Sequence, residues 1–165
     1  MKLASKSQTW KLFTLTKKDY RNEAYLHAPL SYEEADKLIK EALKEKENKL
    51  QVFQDIIDKA DKAGKEAVNK LQVNPMVVEN TQTGKQWFVA DGACGFAWIS
   101  IHQATSSFER WLKKQGIGSK AYSGGLQIWV HDYNQSIQKK SEYASAYAEV
   151  LRDNGYKAYS GSRLD

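Results

Sequence analysis

Residues 95–124, GFAWISIHQATSSFERWLKKQGIGSKAYSG, and 125–161, GLQIWVHDYNQSIQKKSEYASAYAEVLRDNGYKAYSG, are two versions of one pattern. Each opens on an alternating apolar stretch, runs through a helix-like stretch, passes a glycine and ends on KAYSG. Alternation marks a half-buried strand, and apolar residues three and four apart mark a helix. Phe108, Trp111 and Leu112 give the first helix its apolar side; Ala144, Tyr147, Ala148 and Leu151 do so for the second. Ser106 and Glu109 have the spacing of a capping box. Gly116 and Gly155 fall just past the helices, where a left-handed residue is needed. Between the copies, Gly124-Gly125 signals a two-residue hairpin. The order β-α-β-β-α-β is the ferredoxin-like arrangement of an α+β fold. Right-handed crossovers are expected to set strands 95–102 and 125–131 side by side and parallel at the centre of the sheet.

The 94 residues before the repeat read as additions to that core. MVVEN (76–80) and KQWFVAD (85–91) flank the turn-like TQTG and predict a hairpin, with Asp91-Gly92 as a further turn. Asn74-Pro75 stops a preceding helix. That helix begins at Ser31, which has a capping-box partner in Glu34. Its apolar stripe (Ala35, Leu38, Ala42, Phe53, Ile56, Ile57, Ala60, Ala63, Ala67, Leu71) runs to about Leu71 and thins between Leu43 and Leu50. Either one long helix or a helical hairpin satisfies it, with Asn48 and Gly64 as the candidate breaks. TWKLFTL, residues 9–15, alternates like a strand. The division expected is 1–75 as an N-terminal strand and long charged helix, and 76–165 as the α+β domain.

The chain has 165 residues, 41% of them hydrophobic, which suits one globular body with an appendage. No apolar run approaches the roughly 20 residues of a membrane span, and no signal-peptide pattern opens the chain. A single cysteine excludes an internal disulfide and fits a reducing cytoplasm. Net charge is +5, concentrated at the ends. Residues 1–30 carry six Lys/Arg against two acids, and 104–165 carry nine against six. That bias permits an acidic partner or nucleic acid.

Alternation divides each central strand between two faces. Ala97, Ile99 and Ile101 share one side with Leu126, Ile128 and Val130, and belong beneath the helices. The other side carries Phe96, Trp98, Ser100 and His102 beside Gln127, Trp129 and His131. Aromatic residues on the central strands of such a sheet stack bases in RNA-recognition domains. Phe96, Trp98 and Trp129 would be the platform, with Lys120, Lys157 and Arg163 for phosphates. The competing arrangement has the long helix or the hairpin over this face and the tryptophans in a core. Covering is the expected outcome, because residues 1–94 must pack somewhere and no RNP-type motif is present.

No catalytic or cofactor constellation emerges, and no cofactor or metal is expected. Cys94 and His102 are about 26 Å apart along an extended strand, and a parallel neighbour would put His131 equally far away. Cys94 therefore reads as a small turn residue. At the ends of parallel strands, His102 and His131-Asp132 would lie close enough for a ligand site, although two imidazoles without a spacing motif form a weak one. P-loop, GxGxxG, HExxH and paired CxxC motifs are absent.

DGACGFAWISI (91–101) and YASAYAEVLRDNGYKAYSGSRLD (143–165) resemble a family of small uncharacterised proteins of tailed bacteriophages. That family shares a DGxCGFAW string, an Ala/Tyr-rich helix and a terminal AYxGSRLD. The resemblance covers the second half of the chain. It implies a phage accessory protein in the bacterial host cytoplasm, and the lack of a catalytic constellation adds the expectation that it acts without catalysis. Such a protein would bind and block a host protein or protein–nucleic-acid complex, as an anti-defence (anti-CRISPR-like) inhibitor does. For a host-protein partner the expected surface is the interrupted charged stretch, with Lys40, Lys44 and Lys46. A small nucleic-acid-binding module using the aromatic face is the alternative.

Overall fold

The computed structural model describes residues 2–18, 30–102 and 106–165, which form an α+β fold with four helices and two antiparallel sheets. Two compact units part at residues 52 and 53, inside the second helix, whereas the sequence drew its division at 75 and 76.

In the first unit, α1 (Lys6–Thr16) occupies the stretch expected to be a strand. Ser5 decides this. Its hydroxyl accepts from the Gln8 amide while Gln8 Oε1 accepts from the Ser5 amide at 2.9 Å, closing a capping box that the alternation concealed. Thr9, Thr14 and Thr16 then donate their hydroxyls to carbonyls three or four residues back, which reconciles β-branched residues with helix. The predicted box at Ser31 and Glu34 forms, with Glu34 Oε2 accepting from the Ser31 amide at 2.9 Å. The Ser31 amide first, then the Ser31 hydroxyl donating at 2.7 Å, hold the Glu34 carboxyl below its usual range. The box opens α2 (Tyr32–Lys70), an unbroken helix that runs through Asn48 and Gly64. Leu12 of α1 is sealed against Ala35 and Ile39 of α2.

The second unit holds a hairpin, β1 (Met76–Glu79) with β2 (Gln86–Val89), as expected from its turn signal. A four-stranded sheet follows with its two helices: β3 (Gly95–Ile101), α3 (Ser107–Lys114), β4 (Ser119–Lys120), β5 (Leu126–Trp129), α4 (Ile137–Asp153) and β6 (Ala158–Leu164). The strand order is β4-β5-β3-β6 and every neighbouring pair is antiparallel.

The two central strands are therefore neighbours, as expected, but antiparallel rather than parallel. Chain direction requires this. A helix crossover returns β4 in the direction of β3, and the hairpin then reverses the chain for β5. Trp98 faces Trp129 and Ile101 faces Leu126 in the resulting register.

Both helices end alike: Gly116 and Gly155 are left-handed, and the following amides of Ile117 and Tyr156 reach back to Leu112 and Leu151. The capping box expected at α3 is only half made. Ser106 accepts from the Glu109 amide, but the buried Glu109 carboxylate turns to Lys113 Nζ at 2.8 Å.

The two KAYSG echoes adopt different structures. In the first, Ala121 and Gly125 pair around a three-residue loop, 122–124, one residue longer than expected. In the second, Ala158 to Gly161 continue as strand β6. What they share is the alanine, buried in both copies.

Ala97, Ile99, Ile101, Leu126 and Ala158 pack under α3 and α4, and Phe53, Ile56, Ile57 and Ala60 of α2 join the same core. Gly64 is a packing residue rather than a break. A Cβ there would lie 2.5 Å from the Tyr143 ring. That ring cannot yield, because its hydroxyl donates to Asp61 at 2.7 Å and Tyr133 and Tyr147 flank it. Burial first, then the Asp61 carboxylate, pushes the Tyr143 phenol well above its usual range. Gly64→Ala, which in an open helix gains about 1 kcal/mol, should here lose up to about 2 kcal/mol net, since overpacking costs about 1–3 kcal/mol. A thermal melt reads this, and a raised Tm contradicts the contact.

Candidate nucleic-acid interface

The alternation of β3 is realised residue by residue: Gly95, Ala97, Ile99 and Ile101 are buried, while Phe96, Trp98 and Ser100 are only partly covered. Among the described residues of this unit, the helix packs through Phe53, Ile56, Ile57 and Ala60 on the aliphatic side rather than over the aromatic face. The covering expected from the sequence is thus corrected. Trp129 keeps 36% of its surface exposed and Tyr159 keeps 54%.

Because directly opposed residues share a face, the register assembles this surface in rows. Phe96 faces Arg163 across β3 and β6. In the next row Trp129, Trp98 and Gly161 follow one another across β5, β3 and β6. Beyond it Ser119, Gln127, Ser100 and Tyr159 make a row of uncharged polar groups across all four strands. No carboxylate occupies these three rows.

The Trp98 indole lies over Gly161, where a Cβ would come within 2.6–2.8 Å of three ring atoms. Glycine lets the indole sit on the strand backbone. Its Cε2, Nε1 and Cζ2 atoms lie there, and Trp129 flanks the ring at 5.2 Å between centroids. Phe96 meets Trp129 edge-on at 6.4 Å. Cations surround Phe96: the Arg163 guanidinium is 5.3 Å from its centroid and Lys140 Nζ is 5.7 Å away. Lys140 also donates to the Gly95 carbonyl at 3.4 Å, so this buried ammonium is anchored at the edge of the platform. His102 packs on Tyr159 at 5.9 Å.

Not every residue singled out from the sequence joins the site. Arg163 does, and Lys157, whose carbonyl accepts from the His102 amide, lies at the other end of the same face. Lys120 does not: it is opposite Leu126 and so belongs to the other side. The antiparallel register also separates the two histidines. His102 follows the end of β3, whereas His131 follows Trp129, alongside the start of β3. About six residues of strand, roughly 20 Å, lie between them. The ligand site that parallel strands would have made there is not formed, and no group of three metal-ligating side chains occurs among the described residues.

For the same reason His131 is on the Cys94 side of the sheet, not equally far away as the parallel arrangement implied. Among the described residues no hydrogen bond joins either imidazole to the Cys94 thiol. Cys94 serves a strand end, bridging to Ser136 and accepting from the Asp165 amide through its carbonyl.

Tyr159, Gly161 and Lys140 were missed in the sequence. The period-2 pattern Tyr159, Gly161, Arg163 was available, but treating KAYSG as a unit that ends at Gly161 cut the strand short.

Of the charged helix surface, Lys40, Lys44 and Lys46 are all exposed, and residues 44–50 are exposed without interruption. Lys40 pairs with Asp36 at 3.2 Å. No described helix is long and apolar enough to cross a membrane.

Compared with protein-family models, with curated proteins and with solved structures, the chain matches none.

Proposed function

We propose that this chain is a non-catalytic binding protein with a ferredoxin-like βαββαβ core, and that its aromatic sheet face takes single-stranded nucleic acid. The observation that carries this is the Phe96–Trp98–Trp129 cluster, partly exposed at Phe96 and Trp98 and exposed at Trp129, bordered by Arg163 and Lys140 and free of carboxylates. Stacking on aromatic rings contributes about 1–3 kcal/mol per base and tolerates any base. The exposed Arg163 and Lys157 supply the phosphate attraction. An unpaired strand suits the flat face, since a duplex hides its base faces.

The setting we propose is that of a phage accessory protein in a bacterial host, where holding nucleic acid would serve to obstruct a host defence complex. A second reading, direct docking on a host protein through Lys40, Lys44 and Lys46, is supported by the unbroken exposure of residues 44–50. There electrostatic complementarity would mainly tune the association rate.

Capture from bacterial lysate separates the two. With the protein immobilised, nucleic acid should be retained, and nuclease treatment should release most of what co-purifies. Partners retained equally with and without nuclease, and lost when Lys40, Lys44 and Lys46 are changed to Glu, would favour the protein-docking reading instead.

A further inference from the structure

Stacking alone accepts any base, yet the row next to the indoles is not inert. Gln127 and Ser100 face each other across β5 and β3, one pleat repeat from the Trp129–Trp98 pair. Along a strand that step is about 6.6 Å, comparable to the width of a base. Both side chains are partly exposed, and neither makes a hydrogen bond among the described residues. They are held on the two central strands, in a sheet whose opposite side is fully packed by Ile99, Ile101 and Leu126. Their positions are therefore rigid, while their polar groups remain unsatisfied by protein. Charged side chains are absent from this row.

We infer that Gln127, assisted by Ser100, reads the edge of a base stacked on Trp98, and that the face prefers adenine. This rests on the nucleic-acid reading above. The base stacks on the solvent-accessible part of the Trp98 indole, and its edge projects over the Ser100–Gln127 row. A glutamine amide offers one acceptor and one donor side by side. That pattern matches the adjacent N6 donor and N7 acceptor of adenine in a bidentate pair. Guanine shows two acceptors on the same edge and is the partner of Arg or Lys, which this row lacks. The Ser100 hydroxyl, a donor and an acceptor at once, satisfies whichever adenine group or bridging water faces β3.

The test compares fluorescein-labelled (A)10 and (U)10 RNA by anisotropy, with the full-length protein and with the Gln127→Ala and Ser100→Ala variants. The native protein should bind (A)10 about tenfold more tightly, within the about fivefold to hundredfold range of one bidentate pair. Gln127→Ala should bring the two within about threefold, chiefly by weakening (A)10, and Ser100→Ala should have a smaller effect in the same direction. Purines also stack more strongly, so a preference that survives intact in Gln127→Ala would overturn base reading. Equal affinity of the native protein for both oligomers would overturn it as well, while leaving the stacking platform standing. Failure of both oligomers to bind would instead remove the nucleic-acid reading itself.

Discussion

Alanine at both Trp98 and Trp129 should weaken binding of a single-stranded oligonucleotide by a factor of about 30 or more, in a protein that remains folded. Each ring is expected to contribute about 1–3 kcal/mol of stacking, and about 1.4 kcal/mol corresponds to tenfold. Neither ring belongs to the sealed core, so the stability cost should stay well below the about 3–5 kcal/mol of a core tryptophan. Trp111 supplies the control. It is buried between Phe53 and Phe108 on the opposite side of the sheet, so Trp111→Ala should lower the melting temperature strongly and leave the platform residues unchanged. If the Trp98/Trp129 double variant unfolds as Trp111→Ala does, the tryptophans are structural and the platform is lost as an explanation.

Gly161→Val attacks the same site from beneath. Its new Cβ would meet the Trp98 indole at 2.6 Å, and the backbone of β6 is tied to β3 along its length. The indole must leave its seat. Overpacking of this kind costs about 1–3 kcal/mol, so the domain should fold with a lowered Tm. Oligonucleotide affinity should fall about tenfold or more, because the displaced ring no longer offers its stacking surface. The two effects share one cause, which a double-mutant cycle exposes. Once Trp98 is alanine, adding Gly161→Val should cost little further affinity. Full additivity would show that Gly161 does not act through Trp98.

The repeat near the C-terminus was legible because period-2 and helical patterns sit in one short stretch and point to one arrangement. The faces of β3 followed from alternation alone, which named Phe96, Trp98 and Trp129 correctly as a group. Strand direction was lost, although connectivity contains it: a crossover preserves direction and a hairpin reverses it. That single slip also misplaced His131 beside His102. α1 was misread because TWKLFTL alternates, while the signal that overrides it, the Ser5–Gln8 box, lies just before it. Gly64 resembled a break because a missing side chain in sequence does not reveal the Tyr143 ring that fills its place. Whether the long helix covers the aromatic or the aliphatic side depends on tertiary packing. Phe53, Ile56, Ile57 and Ala60 match the aliphatic side in chemistry, and it is there that they pack.

Titration of the intrinsic tryptophan fluorescence with a single-stranded oligonucleotide, repeated across a series of salt concentrations, tests the open aromatic face most directly. Stacking on Trp98 and Trp129 should give a saturable quench. With Arg163 and Lys157 exposed on the face, the affinity should fall with salt at a log–log slope of about −1.4, as for two phosphate contacts to a single strand. An unchanged emission at oligonucleotide concentrations up to about 100 μM, the weak end of non-specific binding, or a quench indifferent to salt, would contradict the account.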